Sequence, residues 1–211
     1  NRRASVELRS GGRLTAGLGL GGWPEDYVVS GVPTSGRGAR LDAAVDSMHR
    51  VWAGVLAGQG GPMRRLRAGR PAVLFGGLVP AAYTRAATRG EGWVAPLFGM
   101  QMLHDGVAAV RRAWADAGRP GRPRIVTGRY FGLGPDADRV ADYSIRHYYG
   151  DEALAVARAD TLTGPERIRE ELGRLAEAGA TDVVLYPTSA DIDQVRLLAR
   201  AVLRPRRSSA A

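Results

Sequence analysis

One pattern recurs along the 211 residues of the chain: a short apolar run, a glycine turn, then an amphipathic helix. Five such units follow one another, with strands predicted at 13–20, 72–75, 92–97, 124–131 and 182–186. Strands that alternate with helices pair in parallel, and the helices cover the resulting sheet. The sequence therefore predicts an α/β fold, and two architectures satisfy it: an open doubly wound sheet or part of a (β/α)₈ barrel.

The predicted helices are recognised by single apolar stripes and by their ends. The helix after the first strand is predicted to end at Gly54, and the next to run from Pro80 to Gly90. The segment from Thr163 to Glu166 has the spacing of a capping box, and Ser189 or Asp191 is predicted to cap the last helix. The inward positions are predicted to be Leu41, Val45, Met48 and Trp52; Leu103, Val107, Val110 and Trp114; Ile168, Leu172 and Leu175; and Val195, Leu198 and Val202.

We expect one domain over residues 1–203 and a polar tail over 204–211, with a Gly- and Arg-rich loop at 58–69. The absence of cysteine excludes disulfides and thiolate chemistry in this sequence. No run of about 18 apolar residues occurs, and no signal segment opens the sequence, so we expect a cytoplasmic protein without a membrane partner.

The net charge of +9 raises the question of nucleic-acid binding, but the distribution of charge argues against it. All 30 basic residues are Arg, which together with abundant Ala and Gly is typical of a GC-rich coding bias. Most Arg residues stand near Asp or Glu on predicted helices, and aromatic residues do not interleave with them as a stacking platform requires. We expect a solvated basic surface and no nucleic-acid partner.

Two glycine stretches follow predicted strands. The stretch from Gly17 to Gly22 is a weak dinucleotide fingerprint, because no helix opens directly after it; it indicates either a close backbone approach or a ligand loop. The second stretch, Gly76 and Gly77, stands just before a helix that begins at Pro80. Exposed amides and the positive end of the helix dipole there predict either an ordinary turn or an anion site.

No other motif points to a particular reaction. The three histidines, His49, His104 and His147, lie on separate predicted helices without metal-ligand spacing, and we expect no metal site. Trp93 and Tyr130 lie at or near strands, where each can be a core residue or the wall of a pocket.

Taken in order, these stretches resemble the luciferase-like monooxygenase superfamily. The sequence from Ser10 to Gly22, with Pro24 to Tyr27, is similar to the family's fourth strand and the loop after it. The stretch from Pro71 to Gly77 and the segment up to Trp93 are similar to its fifth strand, the following helix and the start of the sixth. The stretch from Thr163 to Pro187 is similar to the lead-in to the last strand.

This resemblance implies a TIM-like barrel that binds FMN or coenzyme F420 and an oxidoreductase or monooxygenase that acts on a small organic substrate. A flavin-binding protein without turnover, or an inactive fragment of such an enzyme, is the alternative, and a homodimer is expected from the family. A GC-rich coding bias suits an actinobacterium, in which the deazaflavin is common, but the choice of cofactor stays open. By position, the residues expected to face the cofactor are Gly19, Gly21, Gly22, Gly76, Gly77, Pro80, Ala81 and Trp93, with Leu97 also near the ring.

The five units correspond to the fourth to eighth strands of the family barrel. The resemblance does not reach the first three, which usually hold the active-site His or acid, so no catalytic residue is assigned. We expect that an N-terminal portion lies outside this sequence, that a partner chain completes the barrel, or that the chain is a degenerate relative. Five parallel strands do not close a barrel by themselves.

Overall fold

The computed structural model describes residues 2–55 and 70–203, so the loop predicted at 58–69 and the tail at 204–211 lie outside the described residues. Helices and strands alternate along the described chain. The strands are β1 (Thr15–Leu18), β2 (Ala72–Gly76), β3 (Gly92–Val94), β4 (Arg124–Gly132), β5 (Leu162–Thr163) and β6 (Asp182–Pro187). The helices are α1 (Arg2–Ser10), α2 (Pro24–Val29), α3 (Arg37–Trp52), α4 (Pro80–Arg89), α5 (Met100–Asp116), α6 (Ala137–Ala159), α7 (Pro165–Glu177) and α8 (Asp193–Val202). The predicted parallel α/β class is confirmed.

The chain divides into two compact units. Unit one comprises residues 1–94 and 110–123, and unit two comprises residues 95–109 and 124–211. In unit one, β1 pairs in parallel with β2, and β2 pairs in parallel with β3. The register places Leu18 beside Phe75 and Phe75 beside Trp93, so the three strands end at one edge.

Helix α4 packs on β2 of unit one through small side chains. Val73 and Phe75 are fully buried, and the helix presents the buried alanines Ala82, Ala86 and Ala87. Arg85 on the same helix donates from Nε to Oδ1 of Asp42 at 2.6 Å and from a terminal nitrogen to Oδ2 at 3.2 Å. This forked ion pair ties α4 to α3.

In unit two, β4 pairs in parallel with β6 along 126–131 and with the two-residue β5 at its end. Phe131, Leu162 and Ile168 form a buried core. Side chains of α7 and α8 pack against this core; among them are Leu172, Leu197, Leu198, Ala201 and Val202. Because side chains alternate along a strand, these helices cover the face of β4 that carries Phe131 and leave Tyr130 on the other face.

Most of the predicted helix ends are confirmed. At the end of α3, Gly54 has a φ of +73°, and the amide of Val55 donates to Arg50 while that of Gly54 donates to Val51. This is the Schellman arrangement that a glycine after the last helical residue predicts. Pro80 and Pro165 both stand in the first turn of their helices, as predicted.

Some predicted boundaries are wrong. The third strand ends at Val94 rather than Leu97, because Pro96 has no amide to donate to a ladder. The capping box fails, since Gly164 is the N-cap of α7 and the Thr163 hydroxyl donates instead to Asp138 at 2.7 Å. Ile192 is the N-cap of α8, although Asp191 Oδ1 accepts the amide hydrogen of Asp193 at 2.9 Å.

The stripe of α8 is also displaced from its prediction. Val195 is exposed, while Gln194 is buried and bonds both backbone atoms of Leu133. A buried amide is stable here because its oxygen and nitrogen are both satisfied. Within the described chain, no helix has the length and apolar character needed to cross a bilayer.

Candidate functional site

The first glycine loop of unit one follows β1. Gly19 and Gly22 have open space where a side chain would stand, and Gly21 has a φ of +76°. The loop leads into α2, from which the Tyr27 hydroxyl donates to the carbonyl of Leu20. Tyr27 therefore ties the first glycine loop to α2, while Gly19 and Gly22 leave the backbone of the loop uncovered by side chains of their own.

The second glycine loop joins β2 to α4. Gly77 has a φ of +129°, and a Cβ built on it would lie 2.8 Å from Cβ of Ala82. No other residue type fits at Gly77, because both the dihedral angle and the space exclude a side chain. At Gly76 a Cβ would meet its nearest neighbours at ordinary contact distances of 3.7 and 3.9 Å.

The indole of Trp93 on β3 is hydrogen-bonded to this second loop. Its Nε1 donates to the carbonyl oxygen of Gly77 at 2.9 Å, and its ring makes an edge contact with Tyr83. Trp93 is fully buried on β3, where its hydrogen bond satisfies the polar atom that burial would otherwise leave unpaired. Its burial is what the core hypothesis for Trp93 predicts, and the contact of Trp93 with a cofactor stays a prediction.

The start of α4 determines which amides face the second loop. Pro80 has no amide hydrogen, and the amides of Ala82 and Tyr83 both donate to the carbonyl of Val79. The backbone amides that can donate to an anion there include those of Gly77, Leu78 and Ala81, at the positive end of the helix. Since β1 and β2 are parallel neighbours, the structure brings both predicted glycine loops to the same edge of unit one.

Unit two carries an aromatic cluster that the sequence only partly signals. It consists of Phe98, Tyr130, Tyr149 and Tyr186, whose ring centroids lie 5.5–6.1 Å apart in the contacting pairs. The hydroxyls of Tyr130 and Tyr149 are hydrogen-bonded at 3.1 Å. The place of Tyr130 near a predicted strand indicates a core residue or a pocket wall, and Tyr186, its register partner on β6, has an equivalent place in the sequence.

Unit two also contains a buried ion pair for which the sequence pattern has no local signal. Arg129 on β4 is 1% exposed, and its Nε donates to Glu171 on α7 at 2.9 Å. A terminal nitrogen of Arg129 donates to the carbonyls of Leu97 and Gly128, both at 2.8 Å. Nε and one terminal nitrogen of Arg129 are thus bonded inside the unit, which is typical of a structural rather than a reactive charge.

The histidines and carboxylates do not assemble a metal site among residues 2–55 and 70–203. His49 lies on α3, His104 on α5 and His147 on α6. His49 accepts a hydrogen bond at Nε2 from Arg70 at 2.6 Å, and burial together with that charge lowers its pKa.

Comparison with known proteins identifies the family. The sequence model described as luciferase-like monooxygenase matches residues 3–191. The chain belongs to the luciferase-like monooxygenase family. The expectation drawn from the ordered glycine and strand motifs is therefore confirmed, including the TIM-barrel relationship of the fold.

Relatives of this luciferase-like chain include an uncharacterised protein of Mycobacterium tuberculosis and one of Mycobacterium bovis. Each is 32% identical over 123 residues. The matched region covers 54% of this chain and 42% of each relative, so the chain spans less than half of the length of the relatives it matches.

Solved structures of similar fold include a monooxygenase and two F420-dependent enzymes. A monooxygenase from Streptomyces bottropensis is 21% identical, with a TM-score of 0.71 over 95% of this chain and 71% of that one. A coenzyme F420-dependent tetrahydromethanopterin reductase from Methanopyrus kandleri is 15% identical, with a TM-score of 0.68 over 93% and 75%. An F420-dependent secondary alcohol dehydrogenase is 16% identical, with a TM-score of 0.69 over 95% and 72%. At these identities the likeness establishes the fold alone.

Proposed function

We propose that the chain is part of a flavin- or coenzyme F420-dependent oxidoreductase that acts on a small organic substrate. Membership of the luciferase-like family supports the general class. The observation that carries the proposal is the loop at Gly77, whose amides stand free of a side chain at the start of α4.

The loop fits the phosphate end of such a cofactor. A Cβ at Gly77 would clash with Cβ of Ala82, so only glycine allows the turn that presents these amides at the start of α4. The amides of Gly77, Leu78 and Ala81 are the proposed donors, and the dipole of α4 favours the negative charge. Gly19, Gly21 and Gly22 are proposed to lie along the same cofactor from the neighbouring loop.

The reduced cofactor, when bound, supplies the hydride, and a flavin can also activate O₂. The residues of this chain bind and orient it. Trp93 holds the carbonyl of Gly77 in place, and because C=O and N–H of one trans peptide point in opposite directions, the amide of Leu78 points away from the indole. Preorganised donors of this kind bind an anion without a further ordering cost.

The proposal is tested by titrating the purified chain with FMN and with coenzyme F420, followed by calorimetry. We expect one of the two to bind, and Gly77→Ala to weaken binding by about tenfold or more, since hydrogen bonds to a charged phosphate are lost. Gly121→Ala is the matched control, because Gly121 has a φ of +73° but open space at its Cβ position. Turnover is then measured as oxidation of the reduced form of whichever cofactor binds.

Two results would contradict the proposal. One is the absence of heat for both cofactors at millimolar concentration. The other is equal affinity in Gly77→Ala and Gly121→Ala, which would mean that the second glycine loop takes no part in binding.

A further inference from the structure

The aromatic cluster of unit two forms a continuous set of ring faces and edges. Phe98 stacks on Tyr130 with an interplanar angle of 27°, and Tyr149 meets both rings nearly edge-on, at 74° and 80°. Tyr186 lies beside Tyr130, its register partner on β6, with the ring centroids 5.8 Å apart. Edge-on and offset contacts of this kind leave ring faces available for a further planar group.

A glycine makes room for this arrangement. At Gly128, a Cβ would lie 2.8 Å from the ring of Tyr186 and 2.8 Å from a methyl group of Leu97. Gly128 is therefore the residue that allows the Tyr186 ring to lie against β4. The ring position is defined by the backbone and is not a chance surface placement.

The cluster is open on one side. Tyr186 and Val184 project from the face of β6 opposite the core of α7 and α8, and each is 42% exposed. Apolar and aromatic side chains on an exposed sheet face mark a binding surface more often than isolated apolar residues do.

The two phenols leave one donor unused. Each tyrosine hydroxyl has one hydrogen to donate, and the bond between Tyr130 and Tyr149 uses only one of the two. Within the described part of the chain, neither hydroxyl has another hydrogen-bond partner. Burial, and then the bond to Tyr130, raise the pKa of Tyr149, which keeps its hydroxyl protonated at neutral pH. The pair can therefore donate one hydrogen bond to an oxygen atom and carries no charge of its own.

We propose that the aromatic cluster binds a planar aromatic compound that carries a carbonyl oxygen. The rings of Tyr186 and Phe98 contact its faces, and the free phenol hydrogen of the Tyr130–Tyr149 pair donates to its carbonyl. A substrate ring and the carbonyl-bearing ring of the cofactor share this chemistry, and the test separates them.

The probes are anthraquinone-2-sulfonate and anthracene-2-sulfonate, which share the ring system and the sulfonate but differ in the two carbonyl oxygens. By calorimetry, we expect the chain to bind the quinone about fivefold or more tightly than the hydrocarbon, the value of one hydrogen bond. The common sulfonate cancels attraction to the basic surface. The sequence has neither Cys nor Lys, so covalent capture of the quinone by a thiol or a lysine amine does not arise.

Variants separate the contribution of the phenol hydrogen bond from that of the aromatic ring contacts. The double variant Tyr130→Phe with Tyr149→Phe should abolish the preference for the quinone while leaving the affinity for anthracene-2-sulfonate unchanged, because either single variant keeps one phenol hydrogen that can donate. Tyr186→Leu should weaken both probes by about tenfold, because a stacked ring is lost. Tyr143→Phe is the control: Tyr143 also lies on α6, is 72% exposed and stacks on His147 outside the cluster. Thermal unfolding of each variant verifies that it is folded.

Equal affinity of the native chain for the two probes, or a quinone preference that survives in the double phenol variant, would overturn the inference. Competition by FMN or coenzyme F420 would assign the cluster to the cofactor ring, and simultaneous binding would assign it to a second organic compound. The titration is repeated in Gly77→Ala, which lies in unit one. Quinone binding that persists there keeps this inference separate from the cofactor proposal.

Discussion

At Gly90, a side chain has no room. A Cβ built there would lie 2.7 Å from the carbonyl oxygen of Val73 and 2.8 Å from the ring of Phe75. Its φ of −125° is open to any residue, so crowding alone requires glycine. Gly173 on the exposed side of α7 differs, since nothing lies within 4 Å of its Cβ position.

The two glycines therefore predict opposite changes in stability. Gly90→Ala should lower the free energy of unfolding by about 2 kcal/mol, because the α4–β2 contact is overpacked. Gly173→Ala should raise it by about 0.5–1 kcal/mol, because alanine is the better helix former. Urea titrations followed by circular dichroism measure both, and a loss in Gly173→Ala as large as in Gly90→Ala would refute the steric argument.

The positions of the glycines in the sequence predicted where the two glycine loops lie, but not the side-chain hydrogen bond that fixes the second loop. The strand–glycine–helix order was sufficient to select Gly76 and Gly77. The bond from Trp93 to Gly77 joins residues 16 positions apart in different elements. No local pattern encodes such a contact, since it depends on the pairing of β2 with β3.

At the scale of elements, the buried pair of Arg129 and Glu171 joins β4 to α7. A charge left alone in the interior costs far more than an exposed one. Arg174 also donates to Glu171, at 3.0 Å, so the carboxylate is shared between a buried and a partly exposed arginine.

Removal of one partner of this ion pair should lower the free energy of unfolding much more than removal of both partners. Glu171→Leu is expected to lower the free energy of unfolding by about 3–5 kcal/mol, because Arg129 stays buried without its partner. The double variant Arg129→Met with Glu171→Leu should recover most of that loss. As the control, Asp151→Ala removes the exposed partner of Arg146 and should cost less than about 1 kcal/mol. Additive losses in the double variant would show that the two charges are not coupled.

Long periodic elements were predictable, and short ones were not. The apolar stripe of α5 was predicted from Leu103 to Trp114, and all four of its residues are buried. The two-residue β5 has no period to detect, and α8 turned a glutamine inward because two backbone atoms of Leu133 satisfy it. A hydrophobicity pattern cannot anticipate a buried polar side chain whose partners lie in another segment.

At the scale of the whole molecule, the titrating groups predict how stability depends on pH. Burial and the charge of Arg70 lower the pKa of His49 below its ordinary 6.5. Hydrogen bonds from Arg124 and Arg85 lower the pKa values of Asp182 and Asp42 below 3.8. In each case the unfolded state binds the proton more readily, so a fall in pH favours unfolding.

We therefore expect the free energy of unfolding to fall in two steps as pH decreases. The first begins near pH 6.5 as His49 titrates in the unfolded chain, and the second begins near pH 3.8 for the aspartates. His49→Gln should remove the first step and leave the second, whereas Asp182→Asn should reduce only the second. Denaturation at half-unit intervals from pH 3 to 8 measures the profile; a first step that persists in His49→Gln would exclude this histidine as its source.

The overall architecture was predictable because five strand–helix units have few ways to pack. The alternation of strands and helices is compatible with both a doubly wound sheet and a barrel. Only the order of the family motifs along the sequence favours the barrel. The boundaries between the two units fall at 94–95, 109–110 and 123–124, and the second of them has no composition signal because it lies inside α5.

The contact between Trp93 and Gly77 gives the chain an intrinsic optical reporter. The indole is sealed from solvent and its polar atom is bonded to the loop proposed to receive the phosphate. Any ligand that shifts this carbonyl changes the surroundings of the chromophore. The emission lost in Trp93→Phe then isolates that signal from the other tryptophans, so occupancy of the loop can be followed in real time without a label.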